Sequence, residues 1–473
     1  MGVGNQTSFG GTNDDTLSFN GEAQRNVMTN ELISGWGRTQ WVRSQIERAS
    51  TSEEVRDLVQ SGQKRLIPRG LGRSYGDAAQ LSGGISLLLD EPSTDPIITD
   101  GRTTLSAGYS LDNLLRRIVP KGYFVPVTPG TRYVTLGGAL ASDIHGKNHH
   151  LEGTFSRHIE SFAIVTPTGT HLVTENSDPD LFNATAGGMG LTGIVTDMTM
   201  KLIPIESAYI KMETSRLRDL DETLATMAGS DHKFRYSVAW IDLMARGSAM
   251  GRSVLTRGDH ALKADLSPQL AQDPFKYEAK ALADAPSFIP NGLLNNLTVR
   301  AFNELWFRKA PSYRADEVST IAAFFHPLDM VGKWNRIYGK KGFLQYQFVL
   351  PDGKEEVLRE IIERLSGLQV ASFLAVLKRF GPENDAFLSF PKPGWTLALD
   401  IPITNAEIGN LLDELDRMVL LAGGRIYLAK DSRMSKEVFE EMYPKLDRFK
   451  EVKARVDPNN VITSDIATRL SIC

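Results

Sequence analysis

The sequence predicts a two-domain α+β chain, and three observations carry the prediction. From about residue 50 to 205, short apolar runs alternate with helical stretches and glycine-rich joints. From about 206 to 424 a strand, helix, strand unit recurs three times, a pattern that builds a sheet covered by helices on one face. The length, 473 residues, at roughly 150 per domain, leaves room for two or three domains around a large core.

The elements follow in chain order. The first 27 residues are polar and rich in Gly and Asn, and predict a disordered arm. Residues 52–60 read as helix and 65–68 as strand; Ser110 is placed to cap a helix through Leu111, Leu114, Leu115 and Val119, and 123–127 returns as a strand. The three later units comprise 209–213, a helix near 220–227 and 236–241; then 343–350, 354–368 and 373–377; then 395–403, a helix stopped by Gly423-Gly424, and 425–428. Between the first two units, 261–329 reads as a long irregular stretch, and loops of that length are usually functional or disordered. The last segment, 435–457, has an amphipathic helix pattern broken at Pro444.

Composition closes several doors. Cys473 is the only cysteine, which excludes an intrachain disulfide, a CxxC redox pair and a thiolate zinc cluster. A formal charge of −4 gives no electrostatic reason to expect nucleic acid as a partner. No stretch resembles a signal-peptide core or a membrane-spanning helix.

Three glycine clusters stand out: Pro68-Arg-Gly-Leu-Gly-Arg-Ser-Tyr-Gly-Asp77; Thr128-Pro-Gly130 with Thr135-Leu-Gly-Gly-Ala139; and Gly187-Gly-Met-Gly-Leu-Thr-Gly-Ile194. Each is either a phosphate cradle or an ordinary tight turn. Gly188, Gly190 and Gly193 form a GxGxxG, but a helical stretch precedes it and a strand follows, the reverse of the dinucleotide fingerprint. No GxxxxGK[ST] occurs. An enclosed nucleotide site assembled from several backbone loops remains. Four histidines, His145, His149, His150 and His158, cluster within 14 residues; metal ligands, structural histidines and a cofactor-facing loop are the alternatives.

The order RGLGRSYGD, TPG, TLGGALASDIHGKNHH, GGMGLTGIV, RIYLAKDSR and VKARVDPNN resembles the vanillyl-alcohol-oxidase (VAO/PCMH) type of FAD flavoenzyme. With HPLDMVGKWN, FLQYQFVLP and LSFPKPGW, it more narrowly resembles the decaprenylphosphoryl-β-D-ribose 2′-oxidase family, the FAD half of a 2′-epimerase system. The resemblance runs from about residue 28 to the C-terminus. It implies a FAD-binding domain over 28–208, an antiparallel-sheet substrate domain over 209–424, and a segment, 425–473, returning to the FAD domain.

The resemblance also implies non-covalent FAD held by Arg69, Gly70, Leu71, Gly72, Arg73, Ser74 and Tyr75 in the first loop. In the second loop it implies Gly130, Thr135, Gly137, Gly138, Ala141, Ser142, His145, Gly146 and Asn148, then Gly190, Gly193 and Ile194, and finally Tyr427 and Lys430. Lys430, Tyr75 and His145 are the implied catalytic residues, with Tyr75 and Lys430 as alternative proton partners for the substrate hydroxyl. Lys147 and Lys378 suit a phosphodiester as point cations. Gln345 and Gln347, two apart on a strand, share a face that lines a sugar pocket.

Thr396 and Ala398 complete the implied substrate contacts and depart from the family, which has Asn and usually Cys there. That cysteine is the thiol captured by covalent nitro-aromatic inhibitors, so Ala398 predicts insensitivity to capture with oxidase activity retained. The implied partners are a polyprenyl-phosphate sugar, an NAD-dependent 2′-keto reductase and a membrane surface, on the cytoplasmic side or in the cell envelope. The apolar segment with Phe288, Ile289, Leu293, Leu294, Trp306 and Phe307, flanked by Arg300, Arg308 and Lys309, is either the membrane contact or a core-packing segment. Two rival readings are a soluble sugar or aldonolactone oxidase and a non-catalytic glycolipid-binding protein.

Overall fold

The computed structural model describes residues 29–286, 288–403 and 407–473, so the arm expected over 1–27 lies outside the described residues. Two four-stranded sheets build the N-terminal part. Strands β1 (Thr29–Ser34), β2 (Trp41–Ala49), β3 (Leu66–Pro68) and β4 (Ile85–Leu89) run in the order β1-β2-β4-β3, with β4 parallel to both its neighbours. Strands β5 (Arg102–Ser106), β6 (Ile159–Thr166), β7 (Gly169–Val173) and β8 (Ile194–Lys201) form an antiparallel sheet ordered β5-β8-β6-β7.

Helices α1 (Ser52–Ser61), α2 (Leu111–Ile118), α3 (Leu136–Ala141) and α4 (Pro179–Thr185) connect these strands. Their ends follow from local chemistry: the side chains of Thr51, Ser110, Thr135 and Asp178 each accept the N–H of the residue three further on, satisfying a donor the helix itself leaves free. The strand expected over 123–127 is only Tyr123–Phe124, paired with Ile203–Pro204, because the chain beyond it turns to form the cavity wall described below.

An eight-stranded antiparallel sheet forms the second part. Its strands are β9 (Tyr209–Leu217), β10 (Tyr236–Ile241), β11 (Ser253–His260), β12 (Tyr313–Thr320), β13 (Phe343–Pro351), β14 (Ala375–Phe380), β15 (Gly394–Pro402) and β16 (Arg425–Ile426). Their order is β12-β9-β11-β10-β14-β15-β13-β16. The second domain has helices α5 (Leu220–Ser230), α6 (Asn296–Lys309), α7 (Glu355–Gly367) and α8 (Glu407–Leu421). Leu358, Ile361, Ile362 and Leu365 of α7 and Leu411, Leu412, Leu415 and Val419 of α8 are buried, each set at helical spacing.

Strand alternation sends Trp395, Leu397 and Leu399 of β15 into the core, while Ala398 faces the cavity. Helices α9 (Lys436–Met442), α10 (Leu446–Val456) and α11 (Asp465–Leu470) then return to the first domain, where the backbone around 461–463 bonds to Leu66. Because β16 pairs with β13, a boundary at 424/425 falls just before the last strand of the second domain's sheet.

The stretch 261–329 is not irregular throughout. It contains α6, the edge strand β12 and a short helix, Ile321–Phe325. Asn295 caps α6, accepting from the Leu297 and Thr298 N–H groups while Thr298 Oγ1 accepts from the Asn295 N–H. Alternation fails to mark these elements because α6 and β12 expose most of their length, leaving no clean apolar period.

Candidate active site

A cavity of about 1340 Å³ lies between the domains. Every residue named above for flavin or substrate lines it except Asn148 and Thr396. Asn148 is buried behind the wall, its amide donating to Pro126 O at 2.8 Å, and Gly146 packs against it. Thr396 is fully buried and its hydroxyl donates to Phe348 O at 2.8 Å. It also accepts from Gln347 Nε2 at 3.3 Å, so it orients the glutamine rather than meeting a ligand.

Two loops carry the reactive groups and lie against one another. The Tyr75 N–H donates to Ala429 O at 2.9 Å, and the Lys430 ammonium sits 4.1 Å from the Tyr75 ring centre. Glycine is required at 76, where a Cβ would fall 2.0 Å from Asp431 O. Arg469 of α11 ties both loops: it donates to both carboxylate oxygens of Asp77 at 2.8 Å and to Asp431 at 2.9 Å.

Beneath Tyr75 the Asp400 carboxylate accepts from Gln345 Nε2 at 2.5 Å and from Tyr338 OH at 3.0 Å. Burial raises Asp400 to about 7. Burial first, and then Asp400, push the Tyr75 phenol well above its ordinary 10. Lys430 is lowered to about 7, chiefly by burial.

Lys147 and Lys378 are likewise lowered by burial, to about 7 and about 8. Lys147 donates to Phe324 O and lies over that ring at 4.3 Å. Among the described residues no carboxylate lies within ion-pair distance of Lys147, Lys378 or Lys430.

His145 sits between Phe380 and Tyr427, with ring centres 4.8 and 5.2 Å away. Gln347 Nε2 donates to His145 Nε2 at 3.0 Å, which leaves the ring proton on Nδ1, a buried donor with no partner. Burial and the neighbouring Lys378 hold its pKa well below 6.5, so the ring is neutral. The clustered histidines diverge: His149 accepts from Gly381 N, His150 bonds Phe234 O and His158 bonds Glu152 O. Among the described residues no three His, Cys, Asp or Glu side chains are grouped to hold a metal ion.

The other end of the cavity fits a dinucleotide. Arg69 donates to Ala79 O and Ser34 O, both at 2.7 Å, and Arg73 stacks 3.8 Å from the Trp36 ring centre; burial lowers both to about 10. A buried, unpartnered Arg73 Nε and a wall reduced to small residues at Gly130, Gly137, Gly138, Ala141 and Ser142 suit a flat, anionic ligand. Tyr427 closes the wall, its hydroxyl donating to Ser142 O at 2.7 Å.

Asp400, Tyr338, Arg469 and the wall residues Trp240, Val254 and Val376 were not assigned from the sequence. Asp400 had one usable signal, since it lies two residues beyond Ala398 and four beyond Thr396 on the same strand.

Comparison with known proteins agrees with this geometry. Residues 44–175 match the FAD binding domain family, and 349–470 match the D-arabinono-1,4-lactone oxidase family. The chain is 44% identical over 455 residues to the decaprenylphosphoryl-β-D-ribose oxidase of Mycolicibacterium smegmatis, covering 94% of this chain and 98% of that relative. It is 21% identical over 465 residues to the L-gulono-1,4-lactone dehydrogenase of Mycobacterium tuberculosis, covering 93% and 99%. The fold and the cavity define an FAD-dependent oxidoreductase of the two-domain VAO/PCMH type. Within that class the chain belongs to the decaprenylphosphoryl-β-D-ribose oxidase family.

Proposed function

We propose that this enzyme oxidises the C2′ hydroxyl of decaprenylphosphoryl-β-D-ribose to the ketone, the first half of an epimerisation to the arabino sugar used for cell-wall arabinan. One observation carries the reading: two buried cations, Lys147 and Lys378, which have no carboxylate partner among the described residues, share a cavity wall with Lys430 and Tyr75, and Asp400 lies behind that wall, bonded to Gln345. That wall pairs a phosphodiester seat with a proton acceptor. Arg69, Arg73 and the small-residue wall would hold FAD, without a covalent bond, so that denaturation releases all the flavin.

Bound FAD supplies the hydride acceptor. Lys430, neutral in part near pH 7, takes the hydroxyl proton as the C–H bond at C2′ breaks. Tyr75, whose phenol stays protonated, donates and positions. Gln345 and Gln347 orient the sugar, each held from behind, by Asp400 and Thr396 respectively. An NAD-dependent reductase consumes the keto product.

Anaerobic addition of prenylphosphoryl ribose will bleach the flavin, while a free aldonolactone will not. Bleaching by the lactone alone supports the soluble-oxidase reading, and no bleaching by either supports the binding-protein reading.

Opposite protonation demands set the pH profile. The phosphodiester needs Lys147 and Lys378 charged, so KM rises with pH above about 7 to 8, whereas proton acceptance by Lys430 makes kcat rise through about 7. The kcat/KM profile is therefore expected to be bell-shaped, and a KM flat from pH 6 to 9 contradicts it. Removing one charge, as in Lys378→Met, raises KM about 10- to 100-fold.

Ala398 lines the cavity and offers no sulfur. Wild-type protein turning over with a thiol-capturing nitro-aromatic gains no adduct in the cavity by intact-mass spectrometry, whereas Ala398→Cys gains one; a wild-type cavity adduct contradicts this.

We assign the membrane contact to α6. Leu297 and Leu305 are 78% and 69% exposed on it, beside Arg300, Arg308 and Lys309. No helix among the described residues is long and apolar enough to cross a membrane. Deleting α6 is a poor test, because Val299 and Asn303 are buried and Asn303 donates to Asp242. Leu297→Ser with Leu305→Ser is expected to lower co-sedimentation with anionic liposomes several-fold, and unchanged sedimentation refutes the assignment.

A further inference from the structure

The side chains that line the cavity on the second domain's sheet form an ordered row. Cross-strand partners run Gln347, Ala398, Val376, Trp240 and Val254, one each on β13, β15, β14, β10 and β11. All five line the cavity. The row spans four strand intervals, roughly 19 Å, and its chemistry changes along it. Gln347 bonds to His145 at the polar end, with Lys378 two residues beyond Val376 on the same strand, opposite Thr396. From Val376 onward the row is apolar.

The apolar end does not stop at the sheet. Trp240 Nε1 donates to Phe373 O at 3.0 Å, the Phe373 ring meets Phe302 of α6 edge-on at 5.6 Å, and Phe302 lies 6.1 Å from Trp306. Phe302 and Trp306 both line the cavity and are 43% and 46% exposed, so the apolar path runs from the sugar end to the outer surface of α6.

We propose that this row is the binding track for the first isoprenyl units of the substrate. Resting on the prenylphosphoryl-ribose reading above, the track places the phosphate at Lys378, draws the chain across Val376, Trp240 and Val254, and passes it under Phe302 and Trp306 toward the lipid. It gives the enzyme a means of selecting lipid-linked ribose over soluble sugar phosphates, because each methylene buried on the track tightens binding about fourfold. Exposed aromatics at its end would let the remainder of the chain stay in the bilayer, avoiding complete extraction.

The test compares methyl, farnesyl and decaprenyl phosphodiesters of β-D-ribose as reductants of the FAD-loaded enzyme under anaerobic conditions. For the wild type, KM is expected to fall at least ~100-fold from the methyl to the farnesyl ester. Trp240→Ala and Thr256→Glu are expected to shrink that ratio at least tenfold; Thr256 also lines the cavity, two residues beyond Val254 on β11. Variants are accepted as folded when they retain the wild-type flavin spectrum. Phe302→Ala, on the half-exposed helix face, reads the same ratio without altering the sheet. An unchanged ratio in folded variants overturns the track while leaving the substrate reading intact. Failure of every ester to bleach the wild-type flavin overturns both.

Discussion

Replacing Lys430 by methionine is expected to leave a folded, flavin-loaded enzyme whose reduction by substrate is slowed about 10²- to 10⁴-fold. The fold survives because burial already penalises the charged amine, lowering it to about 7, so an apolar chain of similar length removes a desolvation cost. The rate falls because the neighbouring groups do not replace it: Tyr75 is held protonated by burial and by Asp400, His145 already accepts a hydrogen bond on Nε2, and Lys147 and Lys378 are kept charged by the phosphodiester they bind. Lys430→Arg separates two roles. A fixed guanidinium supplies charge but takes no proton, so arginine is not expected to rescue the rate. Stopped-flow bleaching reads both variants; recovery in the arginine variant assigns Lys430 a purely electrostatic role.

Arg469→Met is expected to cost about 3–5 kcal/mol of stability and to weaken flavin retention. Its guanidinium neutralises two carboxylates, Asp77 and Asp431, that are almost wholly buried, each one residue or two from a reactive loop residue. Without it both carboxylates stay buried without their shared cation. Burial already raises Asp77 above its ordinary value, and losing Arg469, which lowers it, leaves the variant's folded Asp77 carboxyl binding a proton more readily than the unfolded one. Stability of the variant therefore increases as pH falls from 7 toward 5, and the deficit against wild type narrows. Urea unfolding at the two pH values measures this; a loss below about 1 kcal/mol at pH 7 contradicts the clasp.

Much of this molecule is legible locally. The cap at Ser110, the alternation that puts Gln345 and Gln347 on one face, and the inverted context of Gly188, Gly190 and Gly193 all depend on neighbours within a few residues, and the structure has them so. What escaped is set by register or by long reach. Asp400 matters because strand pairing places it opposite Gln345, and Arg469 because it closes on Asp77, 392 residues away. The cross-strand row is a scattered glutamine, alanine, tryptophan and two valines until five strands align. Thr396 was misplaced for a related reason: alternation gives the face of a strand but not how deep along that face a ligand reaches.

The proposed reaction removes a hydride from C2′ of a lipid-linked ribose. Its most direct measurement is anaerobic stopped-flow bleaching of the flavin by decaprenylphosphoryl-β-D-ribose carrying deuterium at C2′ or, separately, at C3′. Bleaching is expected to be slowed by deuterium at C2′ and unchanged by deuterium at C3′. Bleaching slowed only by the C3′ label, or no bleaching at all, would contradict it.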